Sequence, residues 1–146
     1  MGLINALGAG RVAVDTAIFI YFIEEHPTYL PLIAPLFNDV HDGRRELVTS
    51  AITLLEVLVV PYRANDIQLA EQYEAILSRS RGLTLVEMNR SQLRMAAQIR
   101  AVHGVRMPDA LQLAAAHSEK CSVFLTNDRR LPSLPGLRVL QLDDVR

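Results

Sequence analysis

The run Arg11-Val12-Ala13-Val14-Asp15 is short, β-branched and stops at a carboxylate, and the chain repeats the design once: Ser122-Val123-Phe124-Leu125-Thr126 leads into Asn127-Asp128. Continuous apolar runs of this length read as strands buried on both faces. Residues 46–50, 83–88 and 137–140 predict three more. Helical spacing fills the intervals. Ile18, Phe19, Phe22 and Ile23 follow Thr16, which can cap them, and the helix ends by Pro27. A second stretch, punctuated by Pro31 and Pro35, runs to Asp42-Gly43. Residues 52–60 are too long and too continuous for a strand and predict a largely buried helix around Glu56. Amphipathic helices are expected from Asp66 to Gly82 and from Leu93 to Gly104, and a short alanine-rich one follows Pro108, a proline suited to a first turn.

Strands separated by helices imply a parallel sheet covered on both faces. In such open sheets the ligand site lies at the carboxyl ends of the strands, where strand order reverses. Functional residues are therefore expected just after the first and fourth strands, where Asp15 and Asp128 stand.

The 146 residues fit one domain, expected over residues 11–146, with residues 1–10 as a flexible leader that lacks the basic start of a signal peptide. Half the residues are hydrophobic, which provides for a core and excludes disorder as the default. Lys+Arg is 15 and Asp+Glu 16, so the net charge of −1 excludes a general polycation, and any nucleic-acid contact must be a local patch. The single cysteine, Cys121, cannot form an internal disulfide, which points to a reducing cytoplasm. No stretch approaches the roughly 18 uninterrupted apolar residues of a membrane span.

Four carboxylates stand out. Asp15 is an N-cap or, if Thr16 does the capping, free to face the cleft. Glu56 sits among Ile52, Leu54, Leu55, Val57, Leu58, Val59 and Val60, where it needs a solvated stripe, an arginine or a cation. Asp109 lies in a first helical turn, where the helix dipole favours it, and Asp128 in an Asn-Asp turn. Each has an ordinary structural explanation alone. Gathered at one edge they would repel, and a hard divalent cation removes that problem. An all-oxygen donor set suits Mg²⁺ or Mn²⁺ and disfavours zinc. Cys121 and the histidines (His26, His41, His103, His117) lack ligand spacing. A cation so held serves phosphoryl or phosphodiester chemistry.

The segments Val14-Asp15-Thr16-Ala17-Ile18-Phe19-Ile20, Thr53-Leu54-Leu55-Glu56-Val57, Met107-Pro108-Asp109-Ala110-Leu111-Gln112-Leu113-Ala114 and Leu125-Thr126-Asn127-Asp128 resemble, in order and approximate spacing, the four acidic motifs of PIN-domain nucleases, above all the VapC-type toxins. The resemblance runs from Arg11 to the C-terminus. It implies a three-layer α/β/α sandwich with a five-stranded parallel sheet in the order 3-2-1-4-5. It further implies a Mg²⁺- or Mn²⁺-dependent endoribonuclease acting on RNA as the toxin of a toxin–antitoxin pair, with a cognate antitoxin and a homodimer as partners. Asp15, Glu56, Asp109 and Asp128 fall on the acidic positions, which serve as metal ligands, and Thr126 on the hydroxyl that orients the last aspartate. Ala17 departs from the asparagine many members carry.

Arg129 and Arg130 follow Asp128 and are candidates to meet an RNA backbone. The low aromatic content, 5% with no tryptophan, argues against an extensive base-stacking platform. Tyr21, Phe22, Tyr62 and Tyr73 are candidates for exposed apolar surface. The rival readings are an inactive PIN-like binding module and a solitary housekeeping RNase. An aspartyl-phosphate enzyme would need a second aspartate where Ala17 stands. A receiver domain would need a lysine after a late strand, whereas the lone Lys120 precedes the fourth.

Overall fold

The computed structural model describes residues 2–146. Five strands, β1 (Val12–Val14), β2 (Leu47–Ser50), β3 (Leu83–Val86), β4 (Val123–Thr126) and β5 (Arg138–Gln141), form one sheet in the order β3-β2-β1-β4-β5. Every pairing is parallel. The helices are α1 (Leu3–Leu7), α2 (Thr16–Ile23), α3 (Leu30–His41), α4 (Ile52–Arg63), α5 (Ile67–Arg79), α6 (Arg90–His103) and α7 (Met107–Ser118), with a 3₁₀ turn at Leu142–Val145. The expected sandwich and strand order are therefore those of the structure.

Register explains the two cores. Val12 pairs with Leu47 and Val123, and Ala13 with Val48 and Phe124. Side chains alternate along a strand, so Val12, Leu47 and Val123 face one side while Ala13, Val48 and Phe124 face the other. The first side receives large residues: Leu3 and Leu7 of α1, Ile18 and Phe19 of α2, Ile33 and Leu36 of α3, Val57 of α4, Tyr73 and Leu77 of α5. The second side receives α6 and α7 through Ala96, Ile99, Ala110, Leu113 and Ala114. Small side chains there let α7 lie close to the sheet. Gly104, at φ 67°, ends α6 in the left-handed conformation that glycine adopts without strain, so the chain reverses at once into α7.

Three expectations need correction. The segment expected as a flexible leader carries α1, whose Leu3 and Leu7 are buried one turn apart in the larger core. Arg138 Nη2 donates to the carbonyl of Ala6 at 2.8 Å, and Arg45 Nη2 to that of Gly8 at 2.7 Å, so side chains from the domain hold this segment. Helix α4 is covered on one face only. Ile52, Thr53, Val57 and Pro61 are buried, while Leu55, Val59, Val60 and Tyr62 are exposed. Tyr73, expected at the surface, is 1% exposed and donates its phenol hydrogen to Glu24. Among the described residues no helix is long and apolar enough to cross a membrane.

Candidate active site

Parallel pairing of β1 with β4 brings their carboxyl ends together, and with them Asp15 and Asp128. Both lean on one side chain. Thr126, fully buried at the last position of β4, donates its hydroxyl to Asp15 Oδ2 at 2.7 Å and accepts from the Asp128 N–H at 2.9 Å. Thr126, expected to orient the last aspartate, gives its hydroxyl proton to Asp15 and takes the Asp128 backbone N–H, not its carboxylate. The other oxygen of Asp15 accepts from the Thr16 N–H at 2.8 Å, so Asp15 is the N-cap of α2. Thr16, expected as the cap, is the first residue of the helix, and its hydroxyl is directed to Glu56 Oε1 at 2.6 Å.

Glu56 sits half-buried on α4, at the border between its buried and exposed faces. The apolar surroundings seen in the sequence are resolved by the half-exposure of the helix and by the Thr16 donor. Asp109, 8% exposed in the first turn of α7, completes the group, with Arg106 Nε at 3.4 Å from its Oδ2.

The electrostatics divide the cluster. Burial is the largest cause that pushes the Asp15 carboxyl above its ordinary pKa, and the charges of Asp109 and Glu56 push the same way against the hydrogen bonds from Thr126 and Thr16. Asp128 goes the other way. Arg130 grips it with Nε on Oδ1 at 2.9 Å and Nη2 on Oδ2 at 2.8 Å, and the Arg130 N–H adds a third bond. Those hydrogen bonds hold the Asp128 carboxyl below the usual carboxylate range. Arg129, the other candidate for RNA, is paired with Asp144 at 2.7 Å.

The donor set is that of a hard divalent ion: carboxylate oxygens with no cysteine or histidine among them. Asp15 is the residue that fits such an ion best, because burial and two neighbouring carboxylates penalise its charge and a cation relieves both effects. Among the described residues no three Asp, Glu, His or Cys side chains are arranged to hold an ion, since Asp128 faces Arg130 and Asp109 faces Arg106. Both arginine side chains are mostly exposed, so no packing locks them onto the two aspartates.

Sequence reasoning missed Gln112. It is quoted within the third motif but carries no role there. Its position one turn after Asp109 was the available signal: a lone amide in an alanine-leucine helix has to find partners, and in the structure it is 2% exposed.

The family profile described as PIN domain matches residues 12–137. Among solved structures, VapBC2 from Rickettsia felis, bound to a DNA fragment from its promoter, has a TM-score of 0.69 at 17% identity and covers 90% of this chain and 98% of its own. DNA-bound VapBC from Salmonella typhimurium has a TM-score of 0.62 at 23% identity, covering 92% and 99%. VapC20 from Mycobacterium tuberculosis, a toxin that cleaves the sarcin-ricin loop, has a TM-score of 0.63 at 16% identity, covering 77% and 86%. Comparison with the curated proteins gives no match.

Proposed function

The chain belongs to the PIN-domain family, and from that premise we propose that it is a divalent-metal-dependent endoribonuclease, the toxin of a toxin–antitoxin pair. One observation carries the reading: folding desolvates Asp15 and brings Glu56 and Asp109 close enough to oppose its charge. A fold that served only as a scaffold would gain nothing from that arrangement.

Asp15, Glu56, Asp109 and Asp128 would hold Mg²⁺ or Mn²⁺, with Asp109 and Asp128 turned from Arg106 and Arg130 toward the ion. When bound, such an ion lowers the pKa of a water and neutralises charge on a phosphodiester. The protein's own groups do the rest. Thr126 and the Thr16 N–H fix both oxygens of Asp15. The Thr16 hydroxyl holds Glu56. Arg106 and Arg130 stand at the exposed rim and supply planar donors suited to RNA phosphates. The antitoxin and a second copy of the chain are the expected protein partners, and the exposed apolar face of α4 offers surface for one of them.

The test is cleavage of single-stranded or looped RNA by the purified chain, with Mg²⁺ or Mn²⁺ and with EDTA. Activity that needs the ion and disappears in Asp15→Asn supports the reading. Cleavage that survives EDTA or the substitution overturns it, and no cleavage under any condition leaves the fold as a binding module.

A further inference from the structure

Gln112 connects four elements at the acidic edge. From α7, its Oε1 accepts from the Ser50 N–H at 3.2 Å and lies 3.3 Å from the Thr49 hydroxyl, both at the end of β2, while the single Thr49 proton is nearer the Val14 carbonyl at 3.1 Å. Its Nε2 donates to Thr53 Oγ1 on α4 at 2.6 Å and to Thr16 Oγ1 on α2 at 3.3 Å. All five residues are buried, so each polar atom depends on the others for partners.

The direction of the Gln112 bonds to Ser50, Thr53 and Thr16 is fixed. The Ser50 N–H can only donate, so it selects the oxygen of the Gln112 amide and turns the nitrogen to the threonines. Thr16 has one hydroxyl proton, and a carboxylate oxygen of Glu56 receives it at 2.6 Å. Any other group bonded to Thr16 Oγ1 must therefore donate. The Thr53 hydroxyl lies 2.7 Å from Thr49 Oγ1 and 3.3 Å from Thr16 Oγ1, so its single proton is drawn to Thr49. That leaves the Gln112 amide as the donor that sets Thr16.

Building on the nuclease reading above, we propose that Gln112 is a positioning residue: its amide orients the Thr16 hydroxyl so that the proton falls on Glu56 and keeps that carboxylate aimed at the ion site. Gln112 itself touches neither the ion nor RNA.

The experiment compares the full chain with Gln112→Met, Gln112→Glu, Thr16→Val, Thr16→Ser and the Gln112→Met/Thr16→Val double variant. Each is measured for Mn²⁺ affinity by calorimetry without RNA, for kcat and KM on RNA, and for Tm. Gln112→Met keeps the length and removes every bond. Gln112→Glu keeps the shape but presents an acceptor where a donor stood, so the Thr16 proton turns away from Glu56. Both weaken Mn²⁺ binding and lower kcat by about 10–100-fold, the usual effect of losing a group that orients a ligand, and leave the KM for RNA unchanged. Thr16→Val matches them, Thr16→Ser restores both readouts, and the double variant is no worse than Thr16→Val, because one proton carries the effect. If either Gln112 variant fails to fold, the other decides. A Gln112 variant that lowers only Tm, or losses that multiply in the double variant, overturns the proposal. A wild-type chain that neither binds Mn²⁺ nor cleaves RNA overturns the nuclease reading first, and the role of Gln112 with it.

Discussion

Asp15 and Asp128 end neighbouring strands and share the hydroxyl of Thr126, yet their surroundings act on them in opposite senses. The side of the edge built by α2, α4 and α7 buries Asp15, gives it only neutral donors and sets Glu56 and Asp109 beside it. The side built by the segment after β4 leaves Asp128 near the surface in the grip of an arginine. Two aspartates that follow adjacent parallel strands are therefore not equivalent chemically. Charge at Asp15 meets neutral donors and no cationic side chain, whereas charge at Asp128 is met by Arg130. The first is where a cation would gain most, and the second is where it would have to compete.

Activity breaks the comparison most sharply. Asp15→Asn lowers RNA cleavage by on the order of a thousandfold, about 4 kcal/mol, and abolishes the rise in Tm that Mn²⁺ gives the wild type by mass action. Asp128→Asn loses less, about 10–100-fold, and keeps part of the Mn²⁺ shift. Equal losses in a parallel kinetic assay would erase the distinction between the two sides.

Melting in EDTA is the next largest contrast, and its sign differs between the two. Asp15→Asn raises Tm, because asparagine caps α2 as well as aspartate does and carries no buried charge. Each kcal/mol of relief moves a chain of this size by about 2–4 °C. Asp128→Asn lowers Tm slightly, since its partner is exposed and solvent screens the pair. Shifts of the same sign in scanning calorimetry would refute the assignment.

The pH dependence sharpens this further. A carboxyl raised in the fold contributes stability that is present below its unfolded pKa and lost as pH rises through the folded value. The advantage of Asp15→Asn over wild type therefore grows from about pH 4 upward. A lowered carboxyl contributes stability that is present above its unfolded pKa and lost as pH falls through the folded value, so the deficit of Asp128→Asn closes below about pH 4. Denaturant midpoints across pH 3–7 read both slopes. The smallest effect belongs to Arg130→Ala, a marginal loss of Tm that vanishes at high salt; a loss that persists in 1 M salt would mean that the Arg130 contact is not chiefly electrostatic.

The strand-then-carboxylate design made the sheet and the pairing of Asp15 with Asp128 legible, because three or four apolar residues have few other places to go. What escaped depended on coverage. Helix α1 is only five residues long, and its order comes from burying Leu3 and Leu7 against distant parts of the chain, which no local pattern announces. The exposed face of α4 is as apolar as its buried one, so composition alone could not tell Val57 from Val60. Tyr73 lies inside because α5 turns that residue toward Leu77 and the core. At the site, the acidic positions were readable from charge, but which donor each would take was not. Thr16 and Asp15 are both good caps, and only the position of Glu56 across the edge decides that the threonine hydroxyl leaves the cap to its neighbour.

Strand β1 is made before β4 and lies at the centre of the sheet, with Val12 opposite Val123. A ribosome that has produced Asp15 and Glu56 must still produce some seventy residues before β4 arrives to flank β1 and bring Thr126 to Asp15. Until then the nascent chain lacks the hydroxyl that fixes its most burdened carboxylate, and the edge stays open. Such distant pairings also slow folding. On the nuclease reading proposed above, that interval is one in which a partner would reach the polypeptide before it could cleave RNA.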